Sequence, residues 1–518
     1  MNEVVIGVDA GTSIVKSVAF DLDGRLVAIA STPNRYHVGA AGAVTQSPGH
    51  AWEDCVRTLR ELVGKLGRAQ VVGVGVTAQG DGTWLVGEGD SAVGDAWLWL
   101  DGRAGPTVRR LRENPGEPVR FLKTGTALNT CQQGAQLAHM LAVEPERLGV
   151  AQTAMHAKDW LFLKLTGVRA TDPSESAFTF GDFRTRAYDD EVIAALGLSD
   201  HRRLLPDILD GAAQASPLTA AAAAQTGLRA GTPISLGYID IVCTALGAGV
   251  VTEGAPARCS VLGSTGVHMR AARAEAVILS PERSGWTIPL PIPGFVVQAQ
   301  SNMAATLNID WALSLAADLM ADMGVPVARA DLIGRLEGWL EVSPPGAALY
   351  HPYISEAGER GPFVNDRARA GFIGLSAAHR FPDLIRAIVE GVGLAARDCY
   401  DAMGSSKSEV RLSGGAGRSP GLRAILAACL DAPVRMSLRE EAGAAGAAMI
   451  AACAVGAFPD MHAAIARWVA PQLGPRQEPD ARLARIYQDI FAAYALGRRA
   501  LEPVWDRLAE ARAQSAQI

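Results

Sequence analysis

Apolar residues fall in short runs separated by glycine-rich polar turns, and this rhythm begins at once. Val4-Val5-Ile6-Gly7-Val8 is rich in β-branched residues and predicts a strand. Asp9-Ala10-Gly11-Thr12-Ser13 interrupts it as a turn, residues 14–20 resume strand character, and Asp21-Leu22-Asp23-Gly24 turns the chain again before residues 25–30. A helix follows over 48–66, where Trp52, Val56, Leu59 and Val63 recur at spacings of three and four. Residues 71–77 are almost continuously apolar, as suits a central strand covered on both faces. The polar cluster Gln79-Gly80-Asp81-Gly82-Thr83 comes directly after them. Residues 96–100 repeat the arrangement, ending in Asp101-Gly102-Arg103.

Alanine-rich residues 213–230 predict a helix and residues 234–236 a strand, which ends at Gly237-Tyr238-Ile239-Asp240 before an apolar helix over 241–248. The opening pattern then returns. Cys259-Ser260-Val261-Leu262 leads into Gly263-Ser264-Thr265-Gly266 and on to Val267-His268-Met269. A pattern repeated at mid-chain predicts two domains of related design, residues 1–250 and 251–518, each lending a hairpin turn to a shared cleft. The second half carries strand and turn signals at 294–302 and 347–373, and helical patterns at 381–402, 421–430 and 440–456. The glycine loop of residues 411–417 leaves a strand end towards a helix, and residues 483–511 read as a peripheral helix.

Length and charge narrow the class. At 518 residues the chain exceeds one ordinary hydrophobic core. A net charge of -6 gives no global attraction for nucleic acid or anionic membrane, and Arg109, Arg110 and Arg112 are spaced like a solvated helix face. The seven cysteines include no CxxC pair, which fits reduced thiols in a cytoplasmic protein. The uncharged stretch of residues 442–459 falls short of a bilayer span and is full of alanine and glycine, as a tightly packed buried helix would be.

No GxxxxGK[ST], HExxH or GxSxG is present. In the first turn, Gly11 permits close phosphate approach while the Thr12 and Ser13 hydroxyls and neighbouring N–H groups can bind anionic oxygen. Asp9 could hold Mg²⁺. An ordinary hairpin turn is the plain alternative. Gly263-Ser264-Thr265-Gly266 carries the same two readings. Gly414-Gly415-Ala416-Gly417 could receive a nucleotide, or could simply join a strand to a helix. Asp240 is either a general base or a helix cap. Gln79, Asp81, Trp99, Asp101 and Arg103 could line a polyol or sugar pocket, or could serve turns and core packing. Glu359-Arg360-Gly361-Pro362 is either a salt-bridged surface loop or a closing loop.

Taken in order, these segments resemble the FGGY carbohydrate kinase family. The resemblance rests on Gly7-Val8-Asp9-Ala10-Gly11-Thr12-Ser13 with Lys16, Trp99-Leu100-Asp101-Gly102-Arg103, Lys158-Asp159-Trp160-Leu161 and Thr171-Asp172-Pro173-Ser174. It continues through residues 237–240, 262–266, Glu359-Arg360-Gly361-Pro362 and Ser413-Gly414-Gly415-Ala416. It implies an α/β fold of two actin-like, ribonuclease-H-like domains around a catalytic cleft. Substrate would lie mainly on the first domain and ATP on the second. By resemblance Asp240 is the catalytic base and Asp9 the Mg²⁺-associated carboxylate. Gly11, Thr12, Ser13, Lys16, Gly263, Ser264 and Thr265 fall at phosphate positions, and Gly414, Gly415 and Ala416 at the nucleotide. Gln79, Gly80, Asp81, Trp99, Asp101 and Arg103 fall at the substrate. Gly80 and Asp81 stand where glycerol kinases carry Arg and Glu, which argues against glycerol. The Met-His of xylulokinases is missing as well. The runs 77–84 and 95–103 are similar to the erythritol-phosphorylating branch of the family, with L-xylulose and D-xylulose as the alternative substrates. A noncatalytic sugar sensor, an actin-like assembly protein and a homodimer stay open.

Overall fold

The computed structural model describes residues 3–252, 255–404 and 406–515. In the first half, β1 (Glu3–Ala10), β2 (Ile14–Asp21) and β3 (Leu26–Pro33) form an antiparallel meander. Helix α1 (Pro48–Leu66) crosses back to β4 (Gln70–Ala78), which pairs parallel with β1. Helices α2 (Ala157–Thr166) and α3 (Pro173–Phe180) precede β5 (Pro233–Leu236), parallel to β4, and α4 (Asp240–Ala248) follows.

The second half repeats this plan. It contains β6 (Arg258–Leu262), β7 (Gly266–Arg273), β8 (Trp286–Pro289), β9 (Phe295–Asn302), α5 (Thr306–Asp322) and α6 (Phe381–Ala402). Then come β10 (Val410–Ser413), α7 (Pro420–Leu430), β11 (Val434–Ser437), α8 (Ala442–Ala454), β12 (Leu473–Gln477) and α9 (Ala481–Ser515). Five strands of the first sheet run β3-β2-β1-β4-β5, and five of the second run β9-β7-β6-β10-β11 with the same parallel and antiparallel pairings. This is the duplicated actin-like, ribonuclease-H-like architecture that the sequence resemblance implies. The Gly11 and Gly263 turns occupy matching positions, each joining the central strand of its sheet to the next.

Helix α8 is apolar all round, and Ala444 and Ala445 and residues 447–452 have no solvent exposure. A helix with no polar face has to be enclosed on every side. Glycine makes the enclosure close. A Cβ on Gly7 of β1 would sit 1.9 Å from the Ala444 carbonyl oxygen, and one on Gly75 of β4 would sit 2.0 Å from that of Ala447. Against α4, a Cβ on Gly446 would lie 2.1 Å from the Cys243 oxygen, and one on Gly247 would lie 2.2 Å from that of Ala442. An element of the second half thus lies backbone-to-backbone on the first sheet, and one apolar core runs through both halves.

Four local expectations change. Residues 213–230 are not one helix: only Ala220–Thr226 is helical, because Pro217 sits in an edge strand, Thr219 caps the start and Gly227 turns left-handed at the end. In residues 96–100 only Ala96–Trp97 is strand, in a small separate sheet, and Trp99 stands in the turn beyond it. The buried face of α1 is carried by Ala51, Cys55, Thr58, Leu59, Leu62 and Leu66, so Trp52, Val56 and Val63 flank it. The reason is polar pairing: Thr58 enters the core because its hydroxyl meets that of Ser17 at 2.8 Å. Helix α9 is less peripheral than expected, since Tyr487, Tyr494 and Trp505 are buried. All seven cysteines are free thiols. Among the described residues no helix is long and apolar enough to cross a membrane.

The packing predicts a contrast between two glycines. Gly446→Ala should destabilise the protein by about 1–3 kcal/mol through overpacking. Gly64→Ala, in α1 with nothing within 4 Å of the new methyl, should stabilise it by up to about 1 kcal/mol. Denaturant unfolding of the two variants checks this; equal effects would contradict the close packing of α8.

Candidate active site

The chain entering α4 is held from two sides. Thr77 donates its hydroxyl to the Tyr238 carbonyl at 2.6 Å, and the Ile239 N–H donates to the Ser174 hydroxyl oxygen at 3.0 Å. Ser174 is fixed in turn by Asp172, which caps α3 and accepts from both the Ser174 N–H and its hydroxyl. Asp172 pairs with Lys158 at 2.7 Å, and Lys158 also pairs with Asp159 at 2.6 Å; all three are fully buried. Burial opposes the charge on Asp159, but Lys158 and His156 outweigh it and hold the carboxyl down at about 2. The interior of the first domain therefore contains a buried, paired triad whose last link is the backbone just before Asp240.

Asp240 is the first residue of α4. It is not the capping residue, which is Ile239, although one of its oxygens accepts the adjacent Ile241 N–H at 2.7 Å. Burial, with Asp9 and Asp81 nearby, pushes its carboxyl up to about 7. Asp240 lines a cavity of about 240 Å³ between the two domains. Thr12, Gly80, Asp81, Trp99, Phe178, Ile239 and Ile241 line the first-domain side, and Val267, Trp286, Ile288 and Ser301 come from the second. The cavity brings together the first turn, the polar cluster after β4 and the head of α4, segments far apart in sequence.

The Trp99 indole N–H donates to the Thr12 hydroxyl oxygen at 2.8 Å, tying the loop that carries Trp99 to the first turn. A second tie runs through amides. Gln79 donates to Gln46 at 3.1 Å, Gln46 to Asn34 at 2.6 Å, and Asn34 to the carbonyls of Gly11 and Thr12. Asp81 adopts a left-handed φ of 56°, which aspartate tolerates. Its Oδ1 is buried without a hydrogen-bond partner, and burial raises its carboxyl to about 6 despite the Cys131 thiol, His156 and Arg360 nearby. Asp81 is therefore not spent on its own turn.

Asp101 and Arg103 are arranged differently. Asp101 is fully buried, accepts the Val44 N–H at 2.9 Å and pairs with Arg103 at 2.6 Å, and the guanidinium stacks 3.5 Å over Trp97. Neither is among the residues lining the cavity. The pair shapes the loop that carries Trp99.

Asp9 sits at the end of β1, where a Cβ on Gly443 would come within 2.4 Å of its carboxylate. Burial, offset in part by Lys16, lifts Asp9 to about 6. Lys16 reaches across to Glu441, at 2.6 Å, immediately before α8. In the second turn, the carbonyls of Gly263 and Ser264 accept the N–H groups of Thr306 and Ala305 at the head of α5, at 3.0 and 2.7 Å. Gly263, Ser264 and Thr265 are exposed. Gly414 ends the neighbouring strand β10 with a φ of 94°, and a Cβ there would lie 2.4 Å from the Leu262 oxygen, so glycine is required. Gly415 begins a short helical turn, Gly415–Arg418, that contains Ala416, whose side chain lies outside the described residues. Glu359 is not in a surface ion pair: it is buried and accepts the Met303 and Arg360 N–H groups at 2.9 and 2.8 Å.

Sequence reasoning missed His156, Glu175 and the Asn34–Gln46 relay. Two polar residues, Lys158 and Asp159, inside an otherwise apolar helical pattern were the available signal that a buried charge network lies there.

The model of the FGGY family of carbohydrate kinases, N-terminal domain, matches residues 4–247, and that of the C-terminal domain matches residues 259–455. The chain belongs to the FGGY family of carbohydrate kinases. It is 59% identical over 512 residues to an erythritol kinase from Brucella abortus, covering 98% of each chain. It is 27% identical to an L-xylulose/3-keto-L-gulonate kinase from Escherichia coli, over 88% of this chain and 89% of that one. Among solved structures, a xylulose kinase from Lactobacillus acidophilus superposes with a TM-score of 0.87 at 21% identity, covering 98% of this chain and 100% of that chain. This FGGY kinase is thus a phosphotransferase acting on a small polyol or sugar.

The buried triad yields a test of its own. Lys158→Met leaves Asp159 and Asp172 as uncompensated buried carboxylates and should cost about 3–5 kcal/mol of stability. Thermal and denaturant unfolding measure it, and a loss below about 1 kcal/mol would show that the triad does not hold the entry to α4.

Proposed function

We propose that this FGGY kinase transfers the γ-phosphoryl group of ATP to a hydroxyl of erythritol. The observation that carries the reading is Asp240: an aspartate with a strongly raised pKa, fixed at a helix start, facing a cavity that also holds Thr12, Asp81 and Trp99. The 59% identity to an erythritol kinase supports the choice of polyol.

In this mechanism residues 1–250 take the polyol and residues 251–518 take most of the nucleotide. Trp99 packs on the C–H face of the polyol, and Asp81 and Gln79 accept from its hydroxyl groups. Asp240 takes the proton of one hydroxyl as that oxygen bonds to the γ-phosphorus, and the bond from phosphorus to the bridging oxygen of the ADP leaving group breaks. N–H groups and hydroxyls of the turns at Gly11, Thr12 and Ser13 and at Gly263, Ser264 and Thr265 offset charge on the transferring group. The backbone at Gly414, Gly415 and Ala416 borders the nucleotide. Lys16, bonded to Glu441, is placed to exchange that partner for a phosphate oxygen. Asp9 suits Mg²⁺: its carboxylate is half-buried and raised in pKa, and Mg²⁺ commonly takes one or two carboxylates plus phosphate oxygens. When bound, the ion supplies charge neutralisation on the phosphates. Among the described residues no group of three or more His, Cys, Asp or Glu forms a metal cage, which agrees with a site completed by the nucleotide.

ADP release measured across erythritol, threitol, glycerol, L-xylulose and D-xylulose tests the substrate. Erythritol should give the highest kcat/KM, and a higher value for either xylulose would overturn the polyol assignment. Asp240→Asn should lower kcat by about 10³-fold while leaving polyol binding within a few-fold. Because burial raises Asp240, its base form is lost as pH falls. The acid limb of kcat/KM for the unsubstituted enzyme should therefore lie near 7, not near 4.

A further inference from the structure

The two domains line the interdomain cavity with different chemistry. Its carboxylates, Asp81 and Asp240, both belong to the first domain. The second domain brings Val267, Trp286 and Ile288, and Ser301 is its one polar side chain among the described residues that line the cavity. Strand register explains why these four lie together. Val267 of β7 pairs with Ser301 of β9, Trp286 of β8 pairs with Ala299, and Ile288 pairs with Val297. Side chains alternate along a strand, so all six share one face of the second sheet. Through Ile288, Val297 and Ala299 that face runs on into the apolar core common to both halves. Helix α3 packs on β8, and its Phe178, 1% exposed and part of the same core, lines the cavity as well. Trp286 is half-buried.

A wall continuous with a close-packed core does not give way to admit an extra group. The space it bounds is small: about 240 Å³, against the roughly 300–1,000 Å³ of pockets that take drug-sized ligands. A polyol longer by one carbon brings an added CH(OH) unit, which needs both room and hydrogen-bond partners. Phe178, Trp286 and Ile288 offer no partner, and a hydroxyl stripped of water without one is costly. Two four-carbon polyols that differ only in configuration present the same length to this wall. It cannot tell them apart, and that choice falls to the polar groups of the first domain.

We propose that Phe178 and Trp286, contributed by opposite domains, are specificity-determining residues that form an apolar stop in the cavity and limit the substrate to four carbons. This rests on the polyol-kinase reading above, and it gives the second domain a part in choosing the polyol as well as in holding the nucleotide. The two side chains act by contact and exclusion and take no part in proton transfer.

Kinetics with five-carbon polyols test it. For the unmodified enzyme, kcat/KM for ribitol, xylitol and arabitol should each lie at least about tenfold below that for erythritol. A smaller gap would overturn the proposal. In Trp286→Leu the gap between erythritol and the best five-carbon polyol should narrow at least about fivefold, while the preference for erythritol over threitol stays within about twofold and KM for ATP within about threefold. A folded variant that leaves the length preference unchanged, or that loses both preferences alike, would refute the role of Trp286. Phe178→Leu should shift the length preference in the same direction. If that fully buried position does not tolerate leucine, Trp286→Leu and the unmodified enzyme decide the matter. An unmodified enzyme that phosphorylates no polyol would sink the functional reading instead, so the two failures are distinguishable.

Discussion

Backbone contact between α8 and three other elements sets the geometry of the cleft. Gly7 of β1, Gly75 of β4, and the facing pair Gly247 and Gly446 remove the side chains that would hold these segments apart. The second domain thereby sends one helix into the core of the first, and the Asp9 carboxylate at the end of β1 comes to lie against Gly443 near the start of that helix. The same approach puts Glu441 within reach of Lys16. With larger side chains at these positions the first half could not close with Val267, Trp286, Ile288 and Ser301 around the cavity that Thr12, Asp81 and Asp240 line. The packing that joins the domains and the packing that builds the active centre are the same packing.

Polar order inside the first domain does the finer positioning. Lys158 pairs with both Asp159 and Asp172 in a fully buried triad, and through Ser174 the triad fixes the backbone that delivers Asp240. The relay from Gln79 through Gln46 and Asn34 ties the polar cluster after β4 to the first turn. Apart from Gln79 Oε1, the side chains of the triad and the relay are hydrogen-bonded or ion-paired. Asp81 Oδ1, both Glu175 carboxylate oxygens and His156 Nε2 are buried without a hydrogen-bond partner. Burial, only partly offset by neighbouring groups, also raises Asp9, Asp81 and Asp240. Raised carboxylates are a burden for folding but an asset for a base that must take a proton near neutral pH.

Much of the fold was legible in the chain. The strand-turn-strand opening and its return at residue 259 announced a duplicated design, because a short apolar run followed by a Gly-Thr or Gly-Ser turn is a local signal. Helix α8 was legible as a buried element from its lack of charge. What misled was tertiary in origin. The buried face of α1 is rotated because Ser17 and Thr58 satisfy each other in the core, and the alanine-rich segment is cut by Pro217 and the cap at Thr219. At the site, Asp240, Asp81 and Trp99 stood out at the ends of apolar runs. His156 and Glu175 did not, since their meaning lies in what they face across α2, α3 and the Gly80 loop. Asp101 and Arg103, attractive as polyol readers in sequence, turn towards each other and towards Trp97.

The most direct test of the shared-cleft mechanism is a structure of the protein with erythritol and a non-hydrolysable ATP analogue bound together. A terminal hydroxyl should lie within about 3 Å of the Asp240 carboxylate, in line with the γ-phosphorus, with the remaining hydroxyls turned towards Asp81. Erythritol bound outside the interdomain cavity, or bound within it with no hydroxyl in reach of Asp240, would contradict that mechanism.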